Sequence, residues 1–249
     1  IGFIDDYLKV FKKSAEGLHA RFKFIGQTLL AFGIVTFLYF NSNPETTLLY
    51  IPFIKFPVLD LSLFYIPFGV VIIVGFSNAV NLTDGLDGLA SGLLIIVGMT
   101  FAILAYLTGR ADYSAYLQVP FLENAGELTV LCFSLIGSVV GFLWFNAHPA
   151  EIMLGDTGSL SLGGIIGVIA LMLKKEILLI IIGGVFVLEA LSVIIQVVSF
   201  KLRGKRVFKM APLHHHFELK GWAESKVVMR LWILGGLFAI VSLSTLKIQ

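Results

Sequence analysis

Seven apolar stretches separated by short polar segments constrain this chain more than any other feature. A helix crosses a bilayer core with about 20 apolar residues, in a range of about 17–25. Only 14% of the residues are charged, against about 25% in soluble domains. The sequence therefore predicts one all-α, polytopic domain over residues 1–249, embedded in the lipid bilayer, with no nucleic-acid partner. The predicted spans cover residues 24–40, 63–80, 89–108, 128–146, 158–173, 177–200 and 227–246.

Proline and glycine mark where these spans are interrupted. Residues 41–62 place three prolines among short runs of β-forming residues. Proline is confined to edge strands, so we expect only a small hairpin near residues 46–60. The glycine-rich fifth span suits close helix packing. In the sixth span, Gly183-Gly184 predicts a kink, and Glu189 and Gln196 are polar at membrane depth, in either a structural or a functional role.

Basic residues are unevenly divided between the two ends of the spans. Segments on the side of residue 1 hold 12 lysines and arginines, and those on the opposite side hold 5. Cytoplasmic loops of membrane proteins carry the excess of positive charge. The side of residue 1 is therefore expected to face the cytoplasm, and all five histidines lie on that side.

Four polar clusters interrupt the apolar sequence, each at the end of a span. Counting spans between them places all four on the side of residue 1. We therefore expect one site at the membrane face, rich in carboxylates and imidazoles, and the carboxylates indicate a divalent metal. The clusters are Asp5-Asp6, Asn78–Gly88, Gly155–Ser159 and Pro212–Glu218.

The first two clusters each have a structural alternative. Asp5-Asp6 is consistent with a solvated helix end. Alternatively, the pair supplies a metal ligand or a general base, and Lys9 binds a phosphate one turn away. Adjacent carboxylates do not share one helix face, so we expect only one to point at a given ligand. Asp84 and Asp87 are three residues apart, and a helical turn would place both on one face. An N-cap before the third span would explain Asp84 alone.

The second and third clusters also suit close approach by a phosphate-bearing ligand. Gly85 and Gly88 remove side chains, which allows the backbone to approach a ligand. Asp156 or Thr157 is placed to cap the fifth span, yet the amides of a helix N-terminus also bind anions. A carboxylate beside a phosphate must hold a cation, and Mg²⁺ prefers one or two carboxylates together with phosphate oxygens and waters. Asp156 is therefore a predicted Mg²⁺ ligand.

The three consecutive histidines, His214, His215 and His216, follow a basic stretch, residues 201–209. Their internal position excludes an added purification tag, and adjacent histidines do not easily bind one zinc ion together. We interpret them as hydrogen-bond donors to diphosphate or sugar oxygens. The basic stretch reinforces that interpretation and is also suited to anionic lipid headgroups.

Together, these motifs closely resemble the phospho-N-acetylmuramoyl-pentapeptide transferases (MraY) of the polyprenyl-phosphate N-acetylhexosamine-1-phosphate transferase superfamily. The resemblance runs in order along the whole chain. It is carried by Asp5-Asp6, Asn78–Gly88 (NAVNLTDGLDG), Gly155–Ser159 (GDTGS) and Pro212–Trp222 (PLHHHFELKGW).

The resemblance implies a fold and a reaction. Phospho-MurNAc-pentapeptide would move from UDP-MurNAc-pentapeptide to undecaprenyl phosphate, giving lipid I and UMP. The enzyme would be a Mg²⁺-dependent homodimer in the bacterial inner membrane, with its cleft facing the cytoplasm. The family has about ten spans, about three of them before the aspartate pair. Because this chain begins at Ile1 with Asp5-Asp6 close behind, we expect upstream helices to be missing.

The resemblance also implies residue roles. Asp156 would hold the metal with Asp5 and Asp6 beside it, and these three would share the catalytic role with His215. The basic stretch would receive the sugar-peptide. The other implied substrate-binding residues are Lys9, Asn78, Asn81, Asp84, Gly85, Asp87, Asn146, Met153, Ser159, Gln196, His214 and His216.

Two alternative functions remain at this stage. A sister enzyme that uses UDP-N-acetylglucosamine would share the acidic motifs and differ in the histidine-containing loop. A secondary transporter would also carry intramembrane acids, but near the bilayer midplane. The residues leave open whether phosphate attack is direct or passes through an aspartyl-phosphate on Asp5 or Asp6.

Overall fold

The computed structural model describes residues 1–11, 17–41, 44–54 and 56–246. Within these ranges the chain forms mainly α-helices, together with one two-stranded sheet and short 3-10 turns at Pro44–Thr47 and Ser62–Phe64. The elements are α1 (Gly2–Val10), α2 (Ala20–Asn41), β1 (Leu48–Leu49), β2 (Leu59–Asp60), α3 (Tyr65–Thr83), α4 (Leu89–Thr108), α5 (Ala111–Leu117), α6 (Ala125–Asn146), α7 (Gly155–Met172), α8 (Glu176–Ile182), α9 (Gly184–Arg203), α10 (Leu213–Glu218) and α11 (Glu224–Ser244).

Seven helices in the described ranges are long and apolar enough to cross a membrane, which confirms the predicted polytopic bundle. They are α2, α3 with its preceding 3-10 turn, α4, α6, α7, α9 and α11. Many large apolar side chains lie on the outside of this bundle, such as Phe40 and Trp144, which are 73% and 83% exposed. Contiguous apolar surface of this kind is rare on soluble monomers, and the lipid bilayer accounts for it.

Small residues bring α3 and α7 into close contact. A Cβ on Gly163 would lie 2.8 Å from the Cα of Ser77, and a Cβ on Gly167 would lie 3.0 Å from the Cα of Ile73. Such close backbone approach is how helices pack in membranes, where hydrophobic burial supplies little attraction. The packing brings the polar end of α3 beside the first turn of α7.

The sixth span departs from the prediction of one continuous helix over residues 177–200. It is divided at Gly183 into α8 and α9, so the predicted kink is confirmed and the continuous span is wrong. A Cβ on Gly183 would lie 2.4 Å from the ring of Phe76, and one on Gly184 would lie 2.6 Å from the ring of Phe238. The two aromatic rings occupy the space that side chains on a regular helix would need.

The end of the bundle away from residue 1 carries the predicted hairpin. Strands β1 and β2 pair antiparallel, with Leu48 opposite Asp60. The Lys174 ammonium donates to the backbone oxygen of Thr46 and lies 3.0 Å from Glu176, which ties the α7–α8 connection to the hairpin. A cavity of about 520 Å³ opens here, and its lining contains none of the predicted site residues.

Candidate active site

Three carboxylates from two helices meet at the end of the bundle that carries residue 1. Asp5 and Asp6 lie on α1, and Asp156 lies in the first turn of α7. Each offers an oxygen, and these oxygens lie within 4.8 Å of one another. Asp5 is 1% exposed, so its charge is largely removed from water. The structure thus brings together all three residues that were predicted to hold a metal.

Helix α1 is fixed across the N-terminus of α7. The Oδ2 atom of Asp6 accepts hydrogen bonds from the backbone N–H of Thr157 at 2.8 Å and from its hydroxyl at 2.6 Å. Asp6 therefore satisfies an amide that the helix itself leaves without a partner. Both Asp5 and Asp6 approach Asp156 because α7 begins directly against α1, and the expectation that only one of them points at a given ligand stays a prediction. The carboxylate of Asp156 meets Asn81 and two lysines, and the hydroxyl of Thr157 donates to Asp6. Neither side chain caps α7 in the part of the chain that the structure describes, so the capping alternative is wrong.

Two lysines lie among these carboxylates. The Nζ atom of Lys9 is 2.5 Å from Asp5 and 3.4 Å from Asp156. Its hydrogen bond with Asp5 raises the pKa of Lys9 above the ordinary value. Lys23 pairs with Asp156 and lies 3.5 Å from Asp5. In the described ranges, two lysine side chains thus face three carboxylates.

Lys23 is a site residue that the sequence analysis missed. It lies in the first turn of α2, which contains no acidic residue. A cation is unfavourable at a helix N-terminus because it faces the positive end of the helix dipole. That mismatch was a weak signal that carboxylates from elsewhere approach this turn.

The side chain of Asp156 is held in one orientation. Asn81 on α3 donates to Oδ1 of Asp156 at 2.7 Å and to Oγ of Ser159 at 2.9 Å. Ser159 in turn donates to the backbone oxygen of Gly155 at 2.6 Å. With Oδ1 occupied by the amide, Oδ2 is the oxygen that faces the two lysines.

Asp84 lies beside the three carboxylates. It follows the last residue of α3, and its carboxylate accepts a hydrogen bond from the backbone of Gly155. Burial raises the pKa of Asp84 to about 6, and the negative charges of Asp156 and Asp6 add to the effect. It does not cap α4, whose N-cap residue, Gly88, makes no side-chain capping bond. The capping alternative is therefore wrong.

Asp87 points away from Asp84. Its Oδ2 atom lies 3.1 Å from Nδ1 of His148 and accepts from the backbone N–H of Ala150 at 3.0 Å. Its own backbone N–H donates to Glu224 at 2.9 Å. The expectation that the two aspartates share one helical face is wrong, because residues 84–88 form turns and not a helix. Asp87 instead links its own loop to the α6–α7 connection and to the first residue of α11.

Each of the three consecutive histidines has a different partner at Nδ1. His214 is fully buried and meets Glu189 of α9 at 3.2 Å. His215 meets Glu218, one turn later in α10, at 2.7 Å.

The third ring, His216, accepts at Nδ1 from the backbone N–H of Lys209 at 3.1 Å. Because Nδ1 is the acceptor there, the proton of the neutral ring lies on Nε2. Partial burial lowers the pKa of His216, and nearby Lys220 and Lys209 add to that effect. His215 and His216 are partly exposed, and contact between their rings and a substrate stays a prediction.

Two predicted substrate-binding amides make hydrogen bonds within the protein. Asn78 on α3 donates to Gln27 of α2 at 2.6 Å. Asn146 is 2% exposed and accepts from Ser91 at 2.7 Å. These hydrogen bonds stabilise the helices around the site. Direct contact of either amide with a substrate stays a prediction.

Gln196 and Met153 lie on the margin of the site. The side-chain oxygen of Gln196 accepts from the backbone N–H groups of Val207 and Phe208, both at 3.0 Å. It therefore fixes the basic loop against α9, and the structural role at membrane depth is confirmed for this residue. Met153 is 63% exposed in the α6–α7 connection, and its predicted contact with a nucleotide stays a prediction.

The carboxylate cluster suits a hard divalent cation. Oδ1 of Asp5 accepts from the backbone of Leu18 at 2.7 Å, and its buried Oδ2 is turned toward Lys9 and Lys23. Mg²⁺ takes oxygen ligands and is usually held by one or two carboxylates, with phosphate and water completing the shell. Asp5 and Asp156 offer such oxygens, and among the described residues Lys9 and Lys23 do not fully balance the three carboxylates.

Comparison with known proteins gives a consistent assignment. Residues 1–174 match the model of glycosyl transferase family 4. Over its whole length the chain is 55% identical to a phospho-N-acetylmuramoyl-pentapeptide-transferase of Borreliella burgdorferi strain B31, of which it covers 71%. Equally named proteins of Thermodesulfovibrio yellowstonii and Leptospira biflexa are 55% and 53% identical, and the chain covers 70% of each.

These relatives confirm the resemblance that the four motifs indicated. More than half of the residues are identical in an alignment that covers the complete chain. The aligned region therefore includes the helices that carry the carboxylate cluster and the histidine helix α10. The chain therefore belongs to glycosyl transferase family 4 and, within it, to the phospho-N-acetylmuramoyl-pentapeptide transferases.

Proposed function

We propose that this protein transfers phospho-MurNAc-pentapeptide from UDP-MurNAc-pentapeptide to undecaprenyl phosphate, producing lipid I and UMP. The observation that carries the proposal is the meeting of Asp5, Asp6 and Asp156 with Lys9 and Lys23 at one end of a membrane-spanning bundle. The donor is water-soluble and the acceptor lies in the bilayer, so the reaction needs a site at the membrane surface. The proposal rests on this geometry together with the family.

Mg²⁺ is part of the proposal. Asp156 and Asp5 would hold it, with Asp6 beside them. When bound, it would neutralise charge on the diphosphate and polarise the bond that breaks. A cation among these carboxylates would also relieve the repulsion that helps to raise the pKa of Asp84.

The chain's own residues supply positioning and charge neutralisation. The new bond joins the acceptor phosphate to the phosphorus that carries the sugar, and the bond from that phosphorus to UMP breaks. Two anions must approach each other for this to happen, so the reaction depends on electrostatic stabilisation and orientation. Lys9 and Lys23 bind phosphate oxygens beside the metal, and Asn81 keeps Asp156 in place.

The histidine helix and the basic loop contact the sugar-phosphate and the peptide. Glu218 holds the ring of His215 through Nδ1, and Nε2 is directed to the substrate. The last turn of α9 and the loop that follows it expose five basic side chains that suit the carboxylates of a peptide. These are Lys201, Arg203, Lys205, Arg206 and Lys209.

The excess of basic residues on the same side favours a cytoplasmic location for the site. An enzyme that consumes a nucleotide sugar requires that orientation, since nucleotide sugars are cytoplasmic. We further propose that the protein lies in the bacterial inner membrane and forms a homodimer, as the family resemblance implies.

Competition between two nucleotide sugars tests the choice of substrate. We expect the purified protein to convert UDP-MurNAc-pentapeptide in preference to UDP-N-acetylglucosamine, because the basic loop has carboxylates to bind only in the former. Both sugars would be supplied at equal concentration with undecaprenyl phosphate, and the lipid-linked products would be separated and quantified.

The double variant Lys205→Gln, Arg206→Gln sharpens this competition experiment. It should raise KM for the pentapeptide substrate and leave the slower reaction with the plain sugar unaffected. A predominance of lipid-linked N-acetylglucosamine would place the protein in the sister branch and overturn the proposed substrate.

A further inference from the structure

Glu189 and His214 form a buried pair that the proposed chemistry does not use. Glu189 lies in the second turn of α9, and both side chains are fully buried. Oε2 of Glu189 lies 3.2 Å from Nδ1 of His214 and 3.4 Å from its backbone nitrogen. A carboxylate within a membrane-spanning helix is costly and usually has a functional partner.

The remaining polar atom of each side chain is left without a hydrogen bond. Within the described residues, Oε1 of Glu189 and Nε2 of His214 are buried and have no partner. Buried unsatisfied atoms cost stability, and each one in a native protein requires an explanation. The two orphaned atoms indicate that the pair is retained for the position of the ring and not for the stability of the fold.

The ring of His214 is pressed against Gly85. A Cβ on Gly85 would lie 2.4 Å from Nε2 of His214 and 3.0 Å from Cε1. No side chain fits there while the imidazole is present. Glycine is therefore required at position 85 by the neighbouring ring.

Gly85 and His214 connect the two halves of the site. Gly85 directly follows Asp84, which accepts a hydrogen bond from the backbone of Gly155 beside Asp156. His214 directly precedes His215 and His216 in α10. The contact between ring and glycine thus sets the spacing between the carboxylate cluster and the two exposed imidazoles.

We propose that Glu189 and His214 are positioning residues for phosphoryl transfer. Glu189 accepts from Nδ1–H of His214 and fixes the plane of the ring, and the ring holds the loop that carries Asp84 at a defined distance from His215. Neither residue touches the substrate. This inference rests on the proposed function. It assigns to Glu189 and His214 the alignment of the groups that react.

The first test compares Glu189→Leu with Glu189→Gln. Leucine removes the acceptor, and we expect kcat to fall about 10- to 100-fold, since small misplacements of reacting groups have effects of that size. KM for UDP-MurNAc-pentapeptide should change little. Glutamine retains an acceptor oxygen and should restore kcat to within a few fold of wild type. Thr108→Ala, which removes a buried polar group from the end of α4 opposite the site, is the control and should leave kcat unchanged.

The second test is a double-mutant cycle and does not depend on Glu189→Leu being folded. Gly85→Ala should lower kcat by about tenfold or more because the new methyl group displaces the ring. In the background of His214→Ala, the same change should cost almost nothing. Additive effects of Gly85→Ala and His214→Ala would overturn the inference, as would wild-type kcat in folded Glu189→Leu. An inactive wild-type protein in its full-length form would instead refute the proposed function.

Discussion

Replacing Asp156 with asparagine is expected to abolish turnover while the protein remains folded. The carboxamide has the same shape and can still accept the hydrogen bond from Asn81. It removes the negative charge that faces Lys9 and Lys23 and that would hold Mg²⁺. Losing a metal ligand costs several kcal/mol of transition-state stabilisation, so kcat should fall by about 10³-fold or more. The measurement is the rate of UMP release at saturating concentrations of both substrates.

Asp112→Asn is the matched control for this substitution. Asp112 is an exposed carboxylate on α5, paired with Arg110 at 2.9 Å and remote in the fold from the carboxylate cluster. Its variant should retain wild-type turnover. Near-normal activity of Asp156→Asn at ordinary Mg²⁺ concentrations would show that this carboxylate is not a metal ligand.

His215→Ala and His216→Ala are each expected to lose about 10- to 100-fold in transfer activity. A hydrogen bond to a charged phosphate contributes about 1.5–3 kcal/mol, and every 1.36 kcal/mol corresponds to tenfold in rate. Glu218→Gln should lower activity less, because the carboxamide can still accept from Nδ1 of His215. The measurement is kcat/KM for UDP-MurNAc-pentapeptide in each purified variant.

Lys220→Ala serves as the control for these histidine variants. Lys220 follows α10, and its ammonium lies 5.9 Å from the centre of the Phe217 ring. Its removal should leave kcat/KM close to the wild-type value. Wild-type rates in both histidine variants would mean that this segment anchors the protein to lipid headgroups and takes no part in the site.

The parts of the fold that follow from local sequence were predictable. Apolar length alone indicated seven spans, although the sixth begins at Gly184 and not at residue 177. The parity of those spans placed Asp5, Asp84, Asp156 and His215 at one end of the bundle. The glycine pair at Gly183 marked the break in the sixth span. Each of these features depends on the residues of one segment and on how that segment crosses a bilayer, so it can be predicted from a single sequence.

The partners of individual side chains were not predictable in the same way. Asp84 and Asp87 diverge because the turn between α3 and α4 reverses the chain, and spacing alone could not reveal this. Lys23 reaches Asp156 because α2 packs against α3, and α3 packs against α7, whose first turn carries Asp156. Glu189 likewise meets His214 through the packing of helices, across 25 residues of sequence.

Membrane vesicles of defined orientation provide the most direct test of the central claim, that one membrane face carries a transferase site. The protein would be reconstituted in vesicles with undecaprenyl phosphate, and UDP-MurNAc-pentapeptide would be added outside. UMP and lipid I should form in equal amounts only when the face bearing Asp5, Asp156 and His215 is outward. Uptake of the nucleotide sugar without UMP release, or equal UMP release from both orientations, would contradict the account.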